Sequence, residues 1–239
     1  MVGRSPLARS IMSVDAIRAD DQISAPPPSE AAIQSGAIVL ARHGRPNLSR
    51  KVCLSAAGYA DWWARYEEAG LWPGQTPPAG LVAFARKAAV ILCSIRPRSM
   101  ETAAAVAGDK PVEIDPMLVE APLPPPHWPG WLKLSPPVWG VVSRCAWWFF
   151  DHHDGQESRH EAQRRADVVA DRLAELARRG DVLVVAHGFF NTMIGLSLRR
   201  HGWKLKANQG YRYWAMRRFE RTGPDLPAGI ELVVATLES

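Results

Sequence analysis

Ala37-Ile38-Val39-Leu40-Ala41 is an uninterrupted apolar run that ends abruptly at Arg42-His43-Gly44-Arg45. The run is too short for a helix of ordinary length, and Ile38 and Val39 are β-branched, so it reads as a strand buried on both faces. The pattern recurs at Val90-Ile91-Leu92-Cys93-Ser94 and at Val182-Leu183-Val184-Val185-Ala186. Helices are predicted between and after these runs, at roughly residues 55–68, 98–107, 158–179 and 191–200. The third is the clearest: Ala162, Ala166, Val169, Leu173 and Leu176 recur at steps of three and four, Ser158 with Glu161 forms a capping box, and Gly180 closes it. Strands alternating with helices predict an α/β protein, a three-layer α/β/α sandwich with a mostly parallel central sheet. Ligands bind such sheets beyond the carboxyl ends of the strands. Two alternating stretches, near Tyr211 to Phe219 and Ile230 to Leu237, read as late strands.

The chain has 239 residues, 47% of them apolar and 22% charged, with a formal net charge of +5. That composition excludes a wholly disordered or collagen-like chain, and the length allows a core that needs no disulfide or structural metal. Residues 1–36 carry scattered charges and Pro26-Pro27-Pro28 without a sustained period, and read as a weakly packed or disordered extension to a catalytic domain over 37–239. Cys53, Cys93 and Cys145 have no paired spacing, which favours a reducing compartment and a cytoplasmic location. The sequence pI is near 9.4, yet Lys and Arg are interspersed with Asp and Glu, so no nucleic-acid partner is expected and a small anionic substrate fits better. No run is long enough for a membrane span; the nearest, Val138 to Phe150, is broken by Ser143 and Arg144. Oligomeric state is not encoded in any pattern of the chain.

The polar ends of the apolar strands hold the chemistry. Arg42-His43-Gly44-Arg45 follows the first, Ser94-Ile95-Arg96-Pro97-Arg98 contains the end of the second, and His187-Gly188 follows the third. In a parallel sheet these ends share one edge, and guanidinium groups gathered there repel one another unless an anion completes the cluster. A phosphoryl group suits Arg, whose planar fork of donors matches its oxygens. A neutral imidazole can attack phosphorus, splitting one hard hydrolysis into two easier steps. Gly44 and Gly188 allow the backbone close to a ligand. Each feature alone is more often structural; their coincidence in one chain is what points to a site.

In this order the motifs resemble the histidine phosphatase superfamily, which includes phosphoglycerate mutases and many phosphomonoesterases. The resemblance runs from about Ile38 onward through Leu40-Ala41-Arg42-His43-Gly44, Leu54-Ser55 with Gly58, Ser94 with Arg98 and Glu101-Thr102-Ala103, Leu118-Val119-Glu120, Gly155-Gln156-Glu157-Ser158 and Val185-Ala186-His187-Gly188. It implies a phosphoglycerate mutase-like fold, His43 as the residue phosphorylated in turnover, Arg42, Arg98 and His187 as the phosphate pocket, and Glu120 as proton donor. It implies no cofactor and no metal, because Arg and His donors counter the phosphoryl charge. To donate a proton near pH 7, the Glu120 carboxyl has to be desolvated or set beside negative charge such as the phosphate.

The chain also departs from the family pattern. Arg45-Pro46 stands where Glu or Gln and a small hydroxyl residue are usual, and Ser49 stands where many members place Asn, with Asn47 nearby. Arg45 and Asn47 are candidate substrate-binding residues; Arg45 contacts a highly charged substrate or faces solvent. The Glu-Arg-His-Tyr-Gly segment of the glycolytic mutases is absent, and Glu120 is followed by Ala121-Pro122-Leu123-Pro124-Pro125-Pro126. The resulting expectation is a metal-independent phosphomonoester hydrolase acting on a small phosphorylated metabolite through a phosphohistidine. Phosphoglycerate mutase-type transfer and a non-catalytic phosphate-binding protein are the alternatives.

Residues from about 121 to 154 form a Trp/Pro-rich cover with Trp128, Trp131, Trp139, Trp147 and Trp148, where the family roofs its active site. Packing of a lid, stacking on a leaving group and a surface patch are all compatible with it. His152, His153 and His160 match no zinc spacing and read as a solvated turn.

Overall fold

Alternation along the strands decides which helices cover which face, and the computed structural model, which describes residues 35–221, follows it closely. Strands β1 (Ile38–Arg42), β2 (Val90–Ser94), β3 (Glu113–Asp115), β4 (Val182–Ala186), β5 (Lys204–Asn208) and β6 (Met216–Glu220) form one sheet in the order β3-β2-β4-β1-β6-β5. β3, β2, β4 and β1 run parallel, and β6 and β5 add antiparallel at one end. The expected three-layer α/β fold with a mostly parallel sheet is what forms.

Ile38 and Leu40 of β1 and Val182, Val184 and Ala186 of β4 point to one side, against α5 (Arg159–Ala177) and α6 (Gly188–Arg200) through Val169, Leu173, Phe190 and Ile194. Val39, Ala41, Leu183 and Val185 point to the other, against α2 (Ala79–Lys87) and α3 (Pro97–Ala107) through Leu81, Phe84, Ala103 and Val106. Fully burying each of these large side chains is worth about 1.5–3 kcal/mol, which fixes the register of the sheet. A third cluster, of Tyr59, Trp62, Tyr66 and Trp139, joins α1 (Ala56–Glu68) to α4 (Pro136–Phe150) above the carboxyl edge of the sheet.

Local signals explain the helix starts. Ser55 caps α1 by accepting from the Gly58 amide, and Ser158 and Glu161 close a capping box on α5 as the sequence predicts. Pro97 opens α3, and Pro136 and Pro137 open α4 from first-turn positions where no amide is needed. Helix α6 begins at Gly188, three residues ahead of the predicted start, directly after β4. Helices α2 and α4 and strands β3 and β5 were not among the predicted elements, and the first late strand narrows to β6, because Tyr211–Ala215 forms turns. The second late strand, and all but the last two residues of the 1–36 stretch read as an extension, fall outside the described residues.

The two outer strands differ from the inner ones. β3 has only three residues, with Glu113 and Asp115 ion-paired to Arg172, and β5 is exposed throughout, with Lys204 and Lys206 and a register irregularity between Leu205 and Ala207. No helix among the described residues is long and apolar enough to cross a membrane.

Candidate active site

Strand register brings the two histidines together. Arg42 on β1 pairs with Ala186 on the parallel neighbour β4, so the next residues, His43 and His187, leave the sheet side by side. Their rings lie 5.2 Å apart, edge to face. Arg98, fully buried in the first turn of α3, reaches both: its Nε donates to His43 Nε2 at 3.3 Å, and an Nη donates to His187 Nδ1 at 3.2 Å.

Because a guanidinium only donates and a carbonyl only accepts, these contacts fix both tautomers. His43 Nδ1–H donates to the Gly44 carbonyl at 2.7 Å, leaving a lone pair on Nε2. His187 accepts at Nδ1 and gives its Nε2–H to Ser94 Oγ at 3.0 Å. Burial, then the Arg98 and Arg42 charges, hold His43 well below 6.5, against the opposing Gly44 bond. Burial and the same charges do this to His187, with His43 and Arg96 adding to it. Both imidazoles are therefore neutral at pH 7.

That neutrality has a measurable price in acid. A histidine whose folded pKa is depressed binds fewer protons folded than unfolded, so stability holds above 6.5 and is lost as pH falls below it toward the depressed folded value. Each histidine contributes a slope of up to about 1.4 kcal/mol per pH unit in that window. Thermal unfolding between about pH 7.5 and 5 should show this slope, and it should flatten in a His43→Asn/His187→Asn variant. An unchanged slope in the variant would place the acid sensitivity elsewhere.

Arg98 is held from behind. It donates to the Tyr66 carbonyl at 2.7 Å, to the Glu67 carbonyl at 3.0 Å and to Glu67 Oε1 at 2.7 Å, and its guanidinium lies 4.7 Å from the Tyr66 ring centroid. Glu67 also pairs with Arg96 at 2.6 Å. Arg42 stacks on Tyr213 at 4.5 Å and donates to the Tyr211 carbonyl, while its buried Nε has no hydrogen-bond partner among the described residues. An orphaned, charged donor beside two imidazoles is a place for an anion oxygen. Thr102 Oγ1 accepts from the Gly44 amide at 2.9 Å and ties this loop to α3, and a Cβ on Gly44 would lie 2.5 Å from the Trp214 ring.

Glu120 reaches the same cavity from the segment after β3. Its Oε1 accepts from the Phe190 amide at 2.8 Å and from the Ala121 amide at 3.0 Å, and Oε2 accepts from the Phe189 amide at 3.2 Å, at the N-terminus of α6. Two arginines brace its backbone. Arg165 donates to the Met117 and Val119 carbonyls just before it, and Arg144 donates to the Ala121 and Pro122 carbonyls just after it. Arg165 is itself held by both oxygens of Glu157, which gives the Gly155-Gln156-Glu157-Ser158 motif a structural role.

Arg42, His43, Arg98, Glu120 and His187 all line one cavity of about 420 Å³, roofed by α4. Arg45 and Asn47 do not line it. Arg45 lies over the Trp72 ring at 4.8 Å with its backbone bonded to Gln75, and Asn47 is exposed with its amide bonded to the Gly70 carbonyl. Pro46 pairs with Leu71 and turns this stretch away from the sheet edge.

Sequence reading missed Glu67, Arg50 and Arg144. Arg144 carried a signal, being the one charged residue in the Val138 to Phe150 run; it sits 3.9 Å from the Phe189 ring centroid, and burial lowers it to about 10, with Glu120 opposing. Glu67 carried none, since its partner lies 31 residues away. In the cover, Trp139 and Trp147 are fully buried and donate to the Leu54 and Glu157 carbonyls, which is packing, while Trp131 is exposed. His152 contacts the Pro125 carbonyl at 3.0 Å.

The family model of the histidine phosphatase superfamily (branch 1) matches residues 79–213. The chain therefore belongs to that superfamily and is an enzyme of it. The match spans Arg98, Glu120 and His187, whereas Arg42 and His43 lie upstream and join them through the sheet. Among solved structures, mycobacterial hydrolase 1 shares 19% identity over 82% of this chain and 92% of that one, with a TM-score of 0.51, a likeness of fold. A mycobacterial glucosyl-3-phosphoglycerate phosphatase with VO3 shares 19% identity over 80% and 100%, TM-score 0.49. A mutant phosphoserine phosphatase from Entamoeba histolytica with phosphoserine shares 14% over 77% and 89%, TM-score 0.48. No curated protein matches the sequence.

Proposed function

We propose that the chain hydrolyses phosphomonoesters through a phosphohistidine on His43, without metal. The observation that carries this reading is the lone pair on His43 Nε2, fixed by the Gly44 carbonyl and set in a cavity floor of buried cationic donors. The Nε2 lone pair attacks phosphorus as the P–O ester bond breaks, and the departing alkoxide takes a proton from Glu120. Glu120 Oε1 already accepts two amides and Oε2 one, so Oε2 is the oxygen better placed to pass that proton. Water then gives a proton back to Glu120 as its oxygen attacks phosphorus and the P–N bond breaks, releasing inorganic phosphate. Arg42 and Arg98 counter the equatorial charge, and as the bound dianion offsets the arginine charges His187 takes a proton from solvent on Nδ1, exchanging the bond it accepts from Arg98 for one it donates to a phosphoryl oxygen. Free thiols at Cys53, Cys93 and Cys145 fit a cytoplasmic location.

The test is an alkaline quench during turnover of p-nitrophenyl phosphate with chelator present. A base-stable, acid-labile phosphoprotein that maps to His43 is the expected product; turnover with no such species overturns the mechanism. Glu120→Gln gives a finer reading. Its kcat/KM, which reports phosphorylation of His43 and not the later hydrolysis that Glu120 also assists, should fall about 10²- to 10³-fold on an alkyl phosphate, whose alkoxide needs a proton. On p-nitrophenyl phosphate, whose leaving group does not, the fall should be about tenfold or less. Equal losses on both would remove Glu120 from the proton-donor role.

A further inference from the structure

The rest of the cavity speaks to the leaving group, an inference that rests on the hydrolase reading above. Beyond the phosphate floor the walls are formed by Trp62, Trp63, Leu123, Pro137, Val141 and Phe189. Among the described residues, no Asp, Asn, Gln, Ser or Thr lines the cavity. Of its other polar groups, Glu120 is held by amides, Arg144 by the Ala121 and Pro122 carbonyls and the Trp62 indole by the Ser49 carbonyl, while the Tyr211 hydroxyl meets Thr192 at 3.4 Å and Arg50, which is exposed, gives one nitrogen to the Tyr213 hydroxyl at 3.3 Å. A polyhydroxylated or zwitterionic leaving group buried here would lose its water and find few partners, whereas a hydrocarbon loses nothing.

The cavity shares part of its wall with a second hollow. Val141 and Cys145 of α4 line both, and the second, of about 720 Å³, is lined by Trp128, Val142 and Phe150 and, further along, by Asp151, His152, His153 and Asp154. The outer face of α4 between them is exposed and apolar, with Val141 at 64% exposure. Such a surface on a helix is costly unless something covers it. From this continuity we infer that the substrate is the monophosphate of a linear apolar alcohol, with its phosphate on His43 and its hydrocarbon chain leading over Val141 and Cys145 toward the second hollow.

The experiment measures phosphate release by the full chain from ethyl, butyl, hexyl and octyl monophosphates at monomeric concentrations, with glycerol 3-phosphate, glucose 6-phosphate and p-nitrophenyl phosphate alongside. kcat/KM should rise about twofold to fourfold per methylene as each leaves water, so that octyl phosphate exceeds glucose 6-phosphate by about 10²-fold or more. In Val141→Asp the octyl-to-ethyl ratio of kcat/KM should drop at least about tenfold; a ratio is insensitive to partial loss of folded protein. A flat chain-length series, a glucose 6-phosphate rate matching octyl phosphate, or an unchanged ratio in the variant overturns the inference. If p-nitrophenyl phosphate is still cleaved in that case, the hydrolase reading stands and only the substrate class falls. No phosphate from any compound overturns both.

Discussion

His43→Ala removes phosphate release from p-nitrophenyl phosphate by about 10⁴-fold or more, and the base-stable label disappears with it. The size follows from the geometry. With the imidazole gone, water would have to attack the ester directly beside Arg42 and Arg98, which keep their charge but supply no nucleophile. Binding should suffer far less than rate, because the cationic floor remains; vanadate or inorganic phosphate should still bind within about tenfold of the parent protein. The truncated side chain borders a cavity already open to solvent, so no sealed void forms and the variant should fold. A His43→Ala protein that turns over within about tenfold of the parent would require another nucleophile.

Arg98→Ala is the second large effect, and it strikes both rate and stability. The side chain is fully buried and holds two carbonyls and the Glu67 carboxylate on one side and both imidazoles on the other. Its loss leaves Glu67 with Arg96 as its remaining ionic partner and unpairs buried acceptors, which costs about 3–5 kcal/mol in urea unfolding. The kcat should fall about 10³-fold, because the fork strengthens its bonds as charge builds on the phosphoryl oxygens. Glu67→Gln separates the two effects: it weakens the brace without touching the phosphoryl group, so it should lower stability while kcat changes by about tenfold or less. Equal catalytic loss in both variants would make Arg98 a brace and not a phosphate ligand.

Much of this arrangement was legible in the chain because parallel strands are apolar runs with sharp ends, and the sharp ends are the site. His43, Arg98 and His187 could be placed on one edge from three such runs. What stayed hidden had physical causes. Helix α4 is apolar on nearly every side and opens with Pro136-Pro137, so it offers no amphipathic period, and prolines that begin it look like breakers. Helix α2 is only nine residues long and follows Pro77-Pro78. Strand β5 has no buried face and hence no apolar alternation. The role of Arg45 could not be read either: whether a cation after a strand joins the site or stacks on Trp72 depends on the turn that Pro46 makes with Leu71.

The character of the two outer strands bears on how copies of this chain meet in a crowded solution. An intruding β-segment approaching β5 would face lysine charges and a broken hydrogen-bond ladder; approaching β3, it would find too few residues to grip. Among the described residues, runaway polymerisation by strand addition is thereby discouraged at each margin of the sheet.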